Sequence, residues 1–217
     1  MTTNELRRYF NRRKPSGGIT LLIFGILFFW LGISLDGEIS WLLIGLVMSG
    51  IGIFLIYKHS TKQSDAVDAF CNELADEYFD IKKIVADSKC DGIVDAVYSS
   101  GYCFENIFGS RRAICGRDKV WRSSIFEMSC MFFADDMVYY YSERVSLITD
   151  EISETQKEFR ADDIRMVSLE EFNQSVVVVV TIPGNEKICI SCKTKADAIE
   201  LCDNIKNKTY KKEQTKC

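Results

Sequence analysis

Two apolar runs, 19–35 and 39–57, contain no charged residue and are parted only by Asp36-Gly37-Glu38. Each approaches the roughly 20 residues with which an α-helix crosses about 30 Å of hydrocarbon. So short a connection cannot return across a bilayer as open chain, so the pattern predicts an antiparallel two-helix transmembrane hairpin over 18–57. The second run follows the first where a signal peptide would show a cleavage site and a polar mature chain, which excludes a cleaved leader. Arg7, Arg8, Arg12, Arg13 and Lys14 precede the hairpin, Lys58 and Lys62 follow it, and the loop carries only acids. The positive-inside rule then places both termini in the cytoplasm, with Trp30 and Trp41 at the outer headgroup layer and Tyr57 at the inner one. Gly18, Gly25 and Gly32 give the first span a smooth face, and Gly45, Ser49 and Gly52 supply small residues on the second. Such faces let helix backbones approach closely, either within one hairpin or between copies in a homo-oligomer. With no ionisable residue inside the spans, the hairpin reads as an anchor without an ion path.

Beyond the spans the period changes twice. Val67, Phe70, Cys71, Leu74, Tyr78, Ile81 and Val85 fall at steps of three and four, predicting an amphipathic connecting helix within 58–90. Glycines punctuate short apolar runs over 91–117, read as strands with irregular joins. Phe126, Met128, Cys130 and Phe132 then alternate with more polar neighbours, Ala134-Asp135-Asp136 makes a turn, and a Tyr-rich run follows, together a long hairpin. Shorter strands are expected near 157–160 and 164–169. Five consecutive valines in 175–182 suggest a strand covered on both faces, and Pro183-Gly184-Asn185 turns it into 186–192. Thr194 and Asp197 form a capping-box signature for a closing helix with Ala198, Ile199, Cys202 and Ile205 on one face. The layout is thus a basic arm (1–17), the hairpin (18–57), the connecting helix (58–90), a mainly β, α+β domain (91–208) and a basic tail (209–217).

Length and charge narrow the function classes. Of 217 residues, those outside the membrane suffice for a single core of ordinary size. The net charge is −4, and the region after the hairpin is more acidic still, which argues against nucleic acid. The nine cysteines all follow the hairpin, on the reducing side in this topology, so free thiols used as small hydrophobes are expected.

The run Trp121-Arg122-Ser123-Ser124-Ile125-Phe126-Glu127, the Tyr-rich strand, Glu158-Phe159-Arg160-Ala161-Asp162-Asp163-Ile164, Ile182-Pro183-Gly184 and the closing helix resemble bacterial membrane-anchored proteins with a pleckstrin-homology-like domain. The resemblance covers about 120–208. It implies a half-open barrel of about seven antiparallel strands in two sheets, capped by a C-terminal helix, at the bacterial inner membrane. It also implies recognition of protein, peptide or lipid headgroup without catalysis. The basic signature by which some such domains hold phosphoinositides would fall on the first inter-strand loop, which here is the acidic Ala134-Asp135-Asp136.

Candidate chemistry is sparse. Arg111, Arg112, Arg117, Lys119 and Arg122 form the one dense basic cluster after the hairpin, suited to an anionic surface at about 1 kcal/mol per charge. Cys189 and Cys192 have the spacing of a metal or redox pair, but residues three apart on a strand point to opposite faces. A second pair is wanting, Cys103 and Cys115 being far apart, and the one histidine, His59, sits at the membrane edge; neither a metal, a cofactor nor a Cys-His or Ser-His catalytic pair is expected. The acid pairs Asp135-Asp136 and Asp162-Asp163 lie at turns, where Asp bonds the local backbone. The expectation is a non-enzymatic, multi-pass protein of the cytoplasmic membrane. Its β-domain binds a partner protein or the anionic membrane surface; the other reading is a subunit of a complex assembled through the hairpin and the helix after it.

Overall fold

A computed structural model describes residues 1–11, 16–34, 39–89, 95–105, 107–109, 111–116, 118–134, 136–172 and 175–215. The chain divides into two compact units, Met1–Ala69 with Gly116–Val120, and Phe70–Cys115 with Trp121–Cys217.

The first unit is helical. Helix α1 (Thr3–Phe10) occupies the expected basic arm. Its start is fixed by the Glu5 carboxylate, which accepts the Thr2 N–H at 2.8 Å, and it buries Leu6, Tyr9 and Phe10. Helix α2 (Ser16–Ser34) and helix α3 (Ile39–Lys89) follow. Windows Gly17–Ser34 and Ile39–Tyr57 are long and apolar enough to cross a membrane, and only 17% and 11% of them is buried inside the chain. A core helix of a water-soluble protein would be mostly covered, whereas these present Ile23, Phe24, Ile26, Leu43, Leu46 and Phe54 outward. The connecting tripeptide, Arg12, Arg13 and Lys14 lie outside the described residues, as do the side chains of Lys58, His59 and Lys62. Helix α3 runs without a break from the second apolar run through the amphipathic stretch, because no Gly or Pro interrupts 53–89.

The second unit is built on antiparallel strands. Strands β1 (Asp95–Tyr102), β4 (Ile125–Ala134), β5 (Met137–Ser146) and β6 (Ile152–Arg160) form one sheet in that order. A small hairpin of β2 (Ala113–Cys115) and β3 (Trp121–Ser123) is inserted before β4. Strands β7 (Met166–Phe172), β8 (Ser175–Ile182) and β9 (Glu186–Ser191) form a second sheet, and helix α4 (Lys195–Thr215) closes the fold. The two sheets do not join into a closed barrel. Strand β8 is covered on both faces, since Val177 to Val180 are all buried, and Gly184 (φ 82°) and Asn185 (φ 60°) make the turn into β9.

Three expectations about faces are corrected. The alternation in β4 predicted one buried face, yet all ten of its residues are buried. The second half of α3 covers the Phe126-to-Phe132 side, through ring contacts from Phe79 to Tyr98 (5.1 Å) and from Tyr98 to Phe132 (5.9 Å). The opposite side places Met131 and Phe133 in the core shared with Val178, Val180, Ile190 and Ile205. On α3 the buried stripe is Val67, Cys71, Ala75, Tyr78 and Ala86, while Ile81 stays half exposed. On α4, Leu201 takes the buried position expected of Ile199, which is exposed.

Candidate functional site

In the hairpin the small residues turn toward each other. A Cβ on Gly45 would lie 2.5 Å from the Phe29 nitrogen and 2.7 Å from the Gly25 carbonyl oxygen. One on Gly25 would meet the Ser49 nitrogen at 2.6 Å and one on Gly52 the Leu22 nitrogen at 2.8 Å. Gly18 lies against Ile56 and Gly32 against Leu42. These are backbone neighbours that cannot swing aside, so the absence of a side chain is what permits the approach. Phe28 stacks on Trp41 at 5.5 Å. Gly50, by contrast, has nothing within 4 Å of where a Cβ would sit.

At the foot of the hairpin, the Tyr9 hydroxyl lies 3.3 Å from the Ser64 Oγ. Helix α1 therefore meets α3 just beyond the second apolar run. The sequence reading names 1–17 a basic arm without assigning a helix, although Thr2-x-x-Glu5 followed by Leu6, Tyr9 and Phe10 carries a capping box and an apolar stripe.

The basic cluster is not one surface. Arg111 and Arg112 are exposed before β2, and Lys119 is exposed in the following turn with φ 61°. Arg122 is buried, only 2% exposed, on β3, where its register partner is Ile114; it belongs to the interior and cannot face a lipid headgroup. Arg117 lies outside the described residues. Ser124 ties this insert down, its Oγ accepting the Arg112 N–H at 2.9 Å and its N–H reaching the Arg112 carbonyl at 2.7 Å.

The polar group that sequence reasoning missed is Glu127, 1% exposed. Its Oε1 accepts Ser142 Oγ at 3.1 Å and Arg144 Nε at 3.2 Å, and its Oε2 accepts Ser191 Oγ at 2.5 Å. Arg144 also reaches Glu105 at 3.3 Å. The carboxylate thus joins β4 and β5 of one sheet to β9 of the other, with both oxygens occupied. An acid between Phe126 and Met128 on an alternating strand reads as solvent-facing, which is why the pattern hid it.

No disulfide joins two of the described cysteines. Burial pushes the Cys103 and Cys192 thiols up to about 11 and Cys130 to about 12, so all three are protonated at neutral pH. Cys189 and Cys192 lie on β9 and at its end, the first half-buried and the second buried. Asp162 sits in the turn Ala161–Asp163, where Asp163 accepts the Arg160 N–H at 3.2 Å; Asp135 lies outside the described residues. Among the described residues no cluster of His, Cys, Asp or Glu is arranged to hold a metal ion.

A groove of about 540 Å³ runs along β1 in this unit, walled by one face of α4. No protein-family model matches the chain, and no curated protein is significantly similar to it.

Proposed function

We propose that this chain is a membrane-anchored recognition module, its β-domain a pleckstrin-homology-like fold that binds a partner protein from the cytoplasmic face and performs no chemistry. The observation that carries the reading is helix α3, which is unbroken over Ile39–Lys89 and is exposed and apolar in its first part, then packed on an antiparallel sheet in its last. Such a helix suits a lipid anchor continuous with a recognition domain. The order of a four-stranded sheet, a three-stranded sheet and a closing helix supports the pleckstrin-homology-like assignment, with β2–β3 as an insertion after the first strand.

The Tyr9–Ser64 contact supports termini on one side, since α1 precedes the first apolar run and Ser64 follows the second. The excess of Arg and Lys at those two places makes that side the cytoplasm. Binding is favoured over catalysis because the most buried carboxylate, Glu127, already spends both oxygens on protein donors. Burial keeps three of the thiols protonated.

The test uses the full chain. After alkaline carbonate washing it stays with the membrane pellet, and affinity capture from mild detergent retains one protein in near-stoichiometric amount. Release into the supernatant would overturn the anchor. Retention of anionic lipid alone would replace the protein partner by the membrane surface.

A further inference from the structure

Among the described residues strand β1 ends the four-stranded sheet, with β4 as its one sheet partner. On an antiparallel edge, alternate residues turn their N–H and C=O groups outward, and an edge left this way is a template for another strand. Near its end β1 is committed: the Ser99 Oγ donates to the Ser191 carbonyl at 2.8 Å, and a Cβ on Gly101 would meet the Cys192 carbonyl carbon at 2.6 Å. The groove is lined by residues 96–100, and the part of this edge that lies before the crossing is 95–98. The opposite wall is Asp197, Glu200, Leu201, Asn204 and Lys208, a single face of α4. Four extended residues span roughly 13 Å, and about 540 Å³ falls within the roughly 300–1,000 Å³ of ordinary ligand sites.

Charge selects the occupant. Asp95, Asp197 and Glu200 lie along the groove, and Asp80 and Asp87 of α3 bear on Tyr98 at its rim. Lys208 is ion-paired with Asp95 at 2.5 Å, whereas Lys193 donates to the neutral Asn72 amide at 2.5 Å and keeps its charge, one cation against Asp197, Glu200, Asp80 and Asp87. The field that remains is negative. We infer that the open edge of β1 takes an extended, basic segment of a partner protein as an added strand, lying between β1 and α4 with its cationic side chains toward Glu200, Asp80 and Asp87. This site rests on the reading of the domain as a recognition module and gives it a partner chemistry: backbone pairing supplies affinity and the acids supply selection.

The probes are three short synthetic peptides offered to the full chain in lipid nanodiscs: alternating Lys and Val, the same with Glu for Lys, and the Lys peptide with proline at alternate positions. The Lys-Val peptide binds, and both controls bind at least about tenfold more weakly, a difference of roughly 1.4 kcal/mol. The proline control carries the same charge and cannot donate along the edge. Hydrogen exchange then slows at amides within 95–100, and Glu200→Lys, an exposed position, weakens the Lys-Val peptide severalfold with no change in the melting temperature. Equal binding of the basic and proline peptides, protection away from β1, indifference to Glu200→Lys, or no binding up to about 1 mM each overturns the site. Protection of 95–100 that rises with protein concentration and without peptide would assign the edge to a second copy instead. All these outcomes are read on membrane-retained protein, so loss of the site is distinguishable from loss of the anchor.

Discussion

At the scale of single residues, Glu127 has the largest predicted consequence. Removing one partner from a buried, hydrogen-bonded charge cluster leaves the others uncompensated and costs about 3–5 kcal/mol. Glu127→Ala strips Arg144, Ser142 and Ser191 of a shared acceptor, so urea unfolding followed by tryptophan fluorescence should show a loss of that order. Glu143 is the opposite case. It stands directly across from Glu154 on β6, and burial, then the Glu154 charge, hold its pKa above the ordinary carboxylate value. An acid whose folded pKa is raised costs stability once pH climbs above its unfolded value, and the cost vanishes where it is protonated in both states. Glu154→Lys replaces a like-charge cross-strand pair and should stabilise the domain by about 0.2–1 kcal/mol at neutral pH. The gain should shrink as pH falls through the carboxylate range, as read from melting temperatures across pH. Neither effect was legible in sequence, because alternation says which face a residue shares and not what covers that face. Arg122 and Glu127 looked solvent-facing for the same reason.

At the scale of elements, periodicity served well where one physical demand dominated. Two charge-free runs, a valine-rich strand, a Pro-Gly-Asn turn and a Thr194–Asp197 capping box each specify a local geometry, and the last appears as reciprocal bonds of 3.0 and 3.1 Å. It served poorly where two elements share one stripe: Ile81 fits the helical period as well as Ala75, and only the sheet beneath α3 decides which is covered. Strands were expected over 91–117, but the small hairpin of β2 with β3 was not read as a unit, because three residues carry no period. The hairpin gives a sharp contrast. Gly45→Leu would drive a side chain into the Phe29 backbone and should separate the helices, whereas Gly50→Leu should be tolerated. Disulfide trapping between cysteines placed on α2 and α3 in detergent reports the difference, with efficient trapping in the wild type and Gly50→Leu and loss of trapping in Gly45→Leu.

At the scale of the whole molecule, the account is of an apolar hairpin leading through one long helix into a β-rich domain with an open, acidic strand edge. The groove beside β1 was not legible in sequence, since an edge is defined by which strand lacks a neighbour and that follows from topology alone. The two long apolar helices were legible, because a charge-free run of that length has few other ways to satisfy its backbone in an apolar setting; the direction proposed for them rests on where the basic residues fall. The most direct test is protease added outside intact cells expressing the full chain, with a tag after residue 217. The account predicts that the β-domain and tag survive until the membrane is permeabilised; digestion of the tagged domain in sealed cells would contradict it.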